Sequence, residues 1–584
     1  DPVFDPDLDL QFARDLALDH RITFSRASHA TVVDSDGTLK WAGHNLLTFS
    51  EFDSADPTDW TASSLGTGSV TLGSSLHNLP TLTFEQTVSG REFTSQSHTF
   101  EENTEYKLVL FIDESESFYT SGSGTVFAVV GLDDATGTQS AQISAAVNGV
   151  LTLSFSTGSD TSGTIRLGVG PFGNSVAKLV CAGVHLYKAD RSMQERTDVA
   201  TGLETYYPTT SSAVYAARFD HDPATGESLG LLIEEQRTNL IPYSENFDQG
   251  AWFKNNLTVS ADSATAPDGT SNADKIISDS GLSGYIFEGV SITSGNDYTH
   301  TVFAKSGEFT SLRVLGQANA FGANIFADFD LSAGTVGSVT GGSGTASIED
   351  FGSGWYRCVL TLAATATVTS GFQIRPVGTG DGSSGVFVFG AQLEEAAFPT
   401  SYIPTSGAAA TRAVEAAKIE TSKFRYSEPQ GTFLVEVQTA QFGSDKPYIY
   451  SLNDNTSSNR IFQRIEDGAT TRYTGVSGNT TRWSIPTGSV QTSAAFFKSA
   501  TAYLVENIFV ATDGGNTGSA TSAVSPTGLL ELDIGSSRSS STNRLNGHIK
   551  QIQYFARRLN DETVVALTQP SLEPSLSLVF DSSE

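Results

Sequence analysis

RFDHDPATGESLGLLIEEQRTNLIPYSENFDQGAW, residues Arg218 to Trp252, decides how the chain is read. Its second half, Asn239-Leu240-Ile241-Pro242-Tyr243-Ser244-Glu245-Asn246-Phe247 followed by Trp252, repeats an earlier stretch. That stretch is Asn45-Leu46-Leu47-Thr48-Phe49-Ser50-Glu51-Phe52, followed by Trp60. The copies start 194 residues apart, and each opens a segment dense in Gly, Ser, Thr, Val and Phe. Self-similarity at a fixed offset marks a duplicated folding unit. The far ends recur in the same order. Ile374-Arg375 within GFQIRPVGTGDG parallels Ile165-Arg166 within GTIRLGVGPFGN, and Gly385–Glu394 matches Ala177–Tyr187.

Outward from the repeat, short runs alternate apolar and polar residues: Tyr106–Ile112, Val126–Val130, Val150–Phe155, Leu229–Glu234, Thr432–Val437 and Asn546–Phe555. Period-two alternation with Gly-rich turns every 8–12 residues is the pattern of antiparallel β-sandwiches. Asp34-Ser35-Asp36-Gly37 predicts a hairpin turn, because Asp tolerates and Gly supplies positive φ. Leu559–Thr568 predicts one short helix capped by Asn560, with acidic residues in its first turn. The fold class expected is all-β, tandem antiparallel β-sandwich or jelly-roll modules with a small split linker domain.

The boundaries follow. Residues 1–44 form an N-terminal hairpin and candidate anchor that pairs with 191–238, the second half of the split linker domain. Residues 45–190 are an inserted sandwich, 239–412 a second sandwich, and 413–584 a jelly roll whose tail after Pro570 reads as loose. Insertion at a surface loop is tolerated because the two ends of the inserted unit lie close together.

The composition narrows the function. There are 34 basic against 65 acidic residues, a net charge of −31, which repels phosphate backbones and argues against a nucleic-acid partner. No apolar run reaches the 18 or more residues of a membrane-spanning helix, and no signal peptide is recognisable, so membrane insertion is not expected. Cys181 and Cys358, the only two cysteines, fall in different modules and read as free, buried thiols.

RITFSRASHATVVDSDGTL (21–39), ARFDHDPATGESLGLLIEEQRTNLIPYSENF (217–247), Gly354-Trp355-Tyr356-Arg357 and GAQLEEAAFPTSYIPTSGAAATRAVE (390–415) resemble segments shared by bacteriophage and prophage structural proteins, usually fibre, spike or head-decoration subunits. In that family the second module is similar to carbohydrate-binding β-sandwiches. LNGHIKQIQYFARRLNDETVVALT (545–568) resembles a laminin-G or concanavalin-like jelly roll. The resemblance implies a virion surface location, other virion proteins and host surface glycans as partners, and a homo-oligomer, a homotrimer on family grounds.

Candidate chemistry is sparse. Asp220-His221-Asp222 is the most suggestive cluster, but on a strand the two Asp point away from His221, so turn and salt-bridge roles are favoured over metal binding. Glu234-Glu235 and Glu394-Glu395 are adjacent pairs that a strand splits onto opposite faces, whereas glycoside hydrolysis needs two facing carboxylates. Asp133-Asp134 and Asp381-Gly382 read first as turns and second as ligands of a structural Ca²⁺; no cofactor is expected and no metal is assigned. All five tryptophans, Trp41, Trp60, Trp252, Trp355 and Trp483, and with them Phe49 and Tyr243, read first as core and second as sugar-stacking rings. Trp355, Tyr356 and Trp483 are carried forward as candidate glycan contacts. The reading is a non-enzymatic virion subunit presenting glycan-binding modules. Its rivals are a purely architectural capsid or tail component and a polysaccharide-degrading tailspike.

Overall fold

The computed structural model describes residues 5–48, 50, 60–65, 69–76, 79–86, 91–119, 125–132, 138–142, 149–159, 161–170, 177–194, 206–209, 211–439, 446–466, 470–490, 495–521, 524–537 and 543–570. Phe49, Asp133, Asp134 and the tail after Pro570 lie outside them. The chain is all-β, in antiparallel sheets with a few helical turns. It divides into two compact units, Lys40–Ala216 and Asp1–Leu39 with Ala217–Glu584.

The Lys40–Ala216 unit is a two-sheet sandwich. One sheet runs Ser69–Leu76, Leu79–Gln86, Ala177–Lys188, Glu105–Ile112, Val150–Ser156 in spatial order. The other runs Thr61–Leu65, Arg91–Thr99, Ser162–Gly170, Thr125–Leu132, Thr138–Gln142. Alternate side chains such as Leu108, Leu110, Leu151, Ile165, Leu167 and Leu179 are buried in one cluster with Trp60.

Residues 239–412 repeat that order strand for strand. One sheet runs Leu257–Ala264, Ala273–Ser278, Gly385–Glu394, Asp297–Ser306, Trp355–Ala363, with Thr345–Asp350 added at the edge. The facing sheet runs Phe253–Asn255, Tyr285–Phe287, Phe372–Pro376, Ser311–Gly316, Ile325–Asp330, with Thr335–Val336 at the edge.

The quoted repeat explains why both copies fold alike. Buried Asn239 donates from Nδ2 to the carbonyls of Ala391 (3.1 Å) and Ile403 (2.9 Å), and its Oδ1 accepts from the amides of Ile241 and Leu393 (3.1 Å each). Asn45 does the same in its own unit, donating to Val184 (3.1 Å) and Tyr207 (2.9 Å) and accepting from Leu47 and Leu186 (3.2 Å each). Ser244 and Tyr402 share a hydroxyl contact of 2.7 Å, as Ser50 and Tyr206 do at 3.0 Å. Trp252 donates to the carbonyl of Tyr243 at 2.8 Å, as Trp60 does to that of Thr48 at 3.1 Å. One amide side chain thus satisfies four buried backbone groups where the first and last strands of a module meet.

Residues 413–570 build a third sandwich, and it recruits strands from elsewhere. One sheet runs Arg218–His221, Ser228–Ile233, Gly547–Phe555, Gln430–Thr439, Phe497–Leu504, Asn507–Thr512, Asn516–Thr521, with Leu8–Leu10 also on Gly547–Phe555. The other runs Thr23–Ser25, Ala416–Glu420, Glu531–Ile534, Tyr448–Asn453, Arg460–Glu466, Thr470–Ser477, Thr480–Val490. Of the segments expected to pair as a linker, residues 44–45 pair with 214–215, and the Val33 amide donates to Asp220 at 2.8 Å. Leu8–Leu10, Thr23–Ser25, Arg218–His221 and Ser228–Ile233 instead extend the third sandwich, where Leu8, Leu10, Leu231 and Ile233 bury apolar faces in its core.

The Asp34–Gly37 hairpin joins Thr31–Val33 to Leu39–Trp41, with Gly37 at φ 77°. The Asp561–Leu567 helix is capped by Asn560 Oδ1, which accepts from the Thr563 amide at 2.8 Å. Both cysteines are free and buried, and burial pushes the Cys181 thiol up to about 12.

Three arginines and two glutamates tie the 1–39 and 217–415 segments together. Fully buried Arg218 donates from Nε to Glu415 at 2.8 Å, and from Nη2 to Glu415 at 2.6 Å and Glu234 at 2.7 Å. Arg26 reaches Glu415 at 2.7 Å and Arg412 reaches Glu234 at 3.0 Å, while buried Glu394 accepts from the Thr400 amide at 3.0 Å. Burial opposes charge on Glu234, yet Arg412 and Arg218 hold its carboxyl far below the usual range.

Candidate functional site

Alternation on the second sandwich sends Ile286, Val314, Ala327 and Ile374 into the core, all fully buried. The same alternation turns their neighbours outward. Register then sets those neighbours in two rows across five strands. Tyr285 pairs with Asn255, and the Ile286–Ile374 pair brings Tyr285 beside Arg375. Arg375 lies opposite Arg313, which lies opposite Asp328. The second row holds Phe253, Phe287, Gln373, Leu315 and Phe326 by the same registers, of which Gln373 and Leu315 are themselves buried. Five strands at about 4.8 Å spacing extend the face over roughly 19 Å.

One end of the face is aromatic. Phe253 is 52% exposed, large for a phenylalanine, and its ring lies 5.4 Å from Phe287 and 6.3 Å from Tyr285. The three rings are mutually tilted, so they form a ridged apolar floor rather than a closed stack. The other end is a polar strip. Arg375 has its guanidinium carbon 4.7 Å from the Tyr285 centroid, and its Nε donates to Gln373 Oε1 at 2.8 Å. Arg313 makes a two-pronged pair with Asp328 at 2.6 and 2.7 Å and lies 3.8 Å over Phe326. Partial burial and the nearby Arg313 charge lower the Arg375 pKa against the pull of Tyr285, and Asp328 raises that of Arg313. These fixed donors and one fixed acceptor stand beside an apolar floor. That is the chemistry that receives a ring with one apolar face and hydroxyls at its rim.

The residues carried forward from the sequence lie elsewhere. Trp355 is 2% exposed, with its indole NH donating to the Thr265 carbonyl at 3.1 Å, and Trp483 is 4% exposed against Gly475. Neither presents a ring face to solvent, which corrects their assignment as glycan contacts. Tyr356 is half-buried and packs over Gly334, where a Cβ would come within 2.8 Å of its ring, so it too serves packing. Trp41, Trp60 and Trp252 are core as expected, and half-buried Tyr243 packs against the core. The signal for the true face was present in Tyr285-Ile286-Phe287, where a buried Ile forces two aromatics outward.

His221 is buried with Nδ1 3.2 Å from the Val33 carbonyl, while Asp220 bonds His548 Nε2 at 2.8 Å and Asp222 caps a turn through the amides of Ala224 and Thr225. The three diverge as expected; Asp220 and His221 line a cleft of about 490 Å³. Glu394 and Glu395 differ in burial, whereas Glu234 and Glu235 are both buried, Glu234 paired with Arg218 and Arg412 and Glu235 with Arg237. Glu394 is buried, while Glu395 is exposed and bonds Tyr298 at 3.0 Å. Asp381 closes a turn on the amides of Ser383 and Ser384. Among the described residues no group of three or more His, Cys, Asp or Glu is placed to hold a metal ion.

No family model matches the chain, and no curated protein matches it. Among solved structures, the CBM22-1–CBM22-2 tandem of Paenibacillus barcinonensis Xyn10C is 14% identical, covering 61% of this chain and 98% of its own, at a TM-score of 0.20. Domains LG4-5 of the mouse laminin α1 chain are 10% identical, covering 50% and 93%, at a TM-score of 0.18. Trypanosoma rangeli sialidase in complex with the inhibitor DANA is 10% identical, covering 93% and 98%, at a TM-score of 0.21. At such scores none of these likenesses bears on what the chain binds or whether it is an enzyme.

Proposed function

We propose that the protein binds carbohydrate chains through the Phe253–Tyr285–Phe287 face of its second sandwich, as a non-enzymatic surface subunit of a bacteriophage particle. The observation that carries the binding half is the exposed ring of Phe253 beside Tyr285, with Arg375 and the Arg313–Asp328 pair fixed in the same rows. Exposed aromatic floor costs solvation in the free protein and is recovered when a ligand covers it. The virion half is supported by the resemblance of residues 21–39, 217–247 and 390–415 to phage fibre, spike and decoration proteins. Several copies on one particle would strengthen contacts that are weak singly.

A glycan array probed with the whole chain tests the binding half, with Phe253→Ala/Tyr285→Ala as the control. Binding to at least one surface polysaccharide that the double variant loses supports the reading. Silence across the array overturns it in favour of an architectural subunit, and newly formed reducing ends on a bound polysaccharide would make the protein an enzyme.

A further inference from the structure

A second polar cavity, of about 330 Å³, opens on the Thr23–Ser25, Ala416–Glu420, Glu531–Ile534, Tyr448–Asn453 sheet of the third sandwich. Register places Thr23 opposite Lys418, Lys418 opposite Asp533, and Glu531 opposite Asn453. Most of its lining is internally satisfied. Lys418 reaches Glu531 at 2.7 Å, and Asn453 donates to Asp533 at 2.9 Å while accepting from the Asn455 amide at 2.9 Å. Arg544 is the exception. It lines the cavity and is 1% exposed, and among the described residues its Nε and Nη1 meet no acceptor. Asp533, Glu415 and Glu235 act on it only through their charge.

A buried guanidinium without acceptors is among the costliest groups a fold can carry, so its donors point to an occupant. The charges indicate which kind. Lys418 and Arg544 balance Glu531 and Asp533 around the cavity, so a charged ligand gains no net attraction. A hydroxyl both accepts and donates, and two adjacent hydroxyls can accept hydrogen bonds from Arg544 while donating hydrogen bonds to Asp533. We propose that this cavity is a pocket-type site for a single neutral sugar with vicinal hydroxyls, with Arg544 as its principal donor. The sugar class rests on the glycan reading above; the cavity, its charge balance and the orphaned arginine do not.

The test is saturation-transfer NMR on the whole chain carrying Phe253→Ala/Tyr285→Ala, so that the exposed face contributes nothing. The probes are the methyl glycosides of glucose, galactose and mannose, with methyl glucuronide beside them. Transfer to at least one neutral glycoside supports the proposal, with affinity falling roughly tenfold or more on Arg544→Met, as for a lost charge-assisted bond. The melting temperature of Arg544→Met should be unchanged or higher, because an unpartnered buried charge is removed. Transfer to none of the probes, transfer to the glucuronide alone, or a neutral signal that Arg544→Met leaves intact overturns it. So does a marked fall in melting temperature, which would make Arg544 structural. None of these outcomes bears on the exposed face, which the array and its own control decide.

Discussion

The guanidinium of Arg375 lies over the ring of Tyr285, 4.7 Å from its centroid, on the outer surface of a sheet whose other side is core. The contact fixes a long cationic side chain beside the aromatic rings, with its Nε donating to Gln373 at 2.8 Å, and Arg375 lies opposite Arg313, which lies opposite Asp328. A sheet face built this way is pre-arranged for a ligand, so little ordering remains to oppose binding.

Removing either partner should therefore weaken binding far more than folding. Tyr285→Ala and Arg375→Met should each lower affinity for the polysaccharide found on the array by about tenfold or more, while changing stability by about 1 kcal/mol or less. In a double-mutant cycle read by calorimetry the losses should be less than additive, since each variant already breaks the pair.

Glu415 should be among the least replaceable residues of the larger unit. It accepts from Arg218 twice, from Arg26 and from the Glu234 amide, all buried. Glu415→Gln should cost about 3–5 kcal/mol in denaturant unfolding, because it strands buried arginines. Burial raises the Glu415 carboxyl, but Arg218 and Arg26 hold it below the unfolded value of 4.5. Its contribution is thus complete above about pH 4.5 and is lost as pH falls through the depressed value. Acid melts of wild type and variant should converge there.

Glu288 should behave oppositely. Burial lifts its carboxyl to about 7 from 4.5 against one backbone hydrogen bond from Tyr243, and its Oε2 has no partner among the described residues. A raised folded value means that the folded state holds the proton longer. The penalty is absent below about pH 4.5, grows to pH 7 and is full above it. At about 1.4 kcal/mol per unit, Glu288→Gln should raise stability at pH 8 by up to about 3 kcal/mol and leave it nearly unchanged at pH 4. A gain that is equal at both pH values would refute this.

The duplicated asparagines supply a symmetric test. Asn45→Ala and Asn239→Ala each strand four backbone groups, so each should cost about 3 kcal/mol or more, at about 1–3 kcal/mol for each unsatisfied group. In calorimetry, Asn45→Ala should shift the transition of Lys40–Ala216, and Asn239→Ala that of the remainder. Loss at only one site would mean that the two copies no longer use the same lock.

What the sequence determined by itself was the repeat and everything local to it. Asn45 and Asn239 head similar motifs, alternation marks the strands, Asn560 caps its helix, and the first, penultimate and last strands of the two sandwiches recur in order. These follow from residues near one another in the chain, or from copies of one pattern. The binding face was decided only by tertiary structure. Period-two alternation says that Tyr285 and Phe287 share a side, but not that this side meets water, nor that Arg375, Arg313 and Asp328 stand in its rows. Trp355 and Trp483 show the same limit from the other direction, since a large aromatic serves as readily in a core as on a surface. The buried network of Arg26, Arg218, Arg412, Glu234 and Glu415 joins residues up to 389 positions apart. Charge composition cannot foretell it, because pairing across such distances depends on which strands pack together, and that is set by the burial of apolar faces over the whole chain.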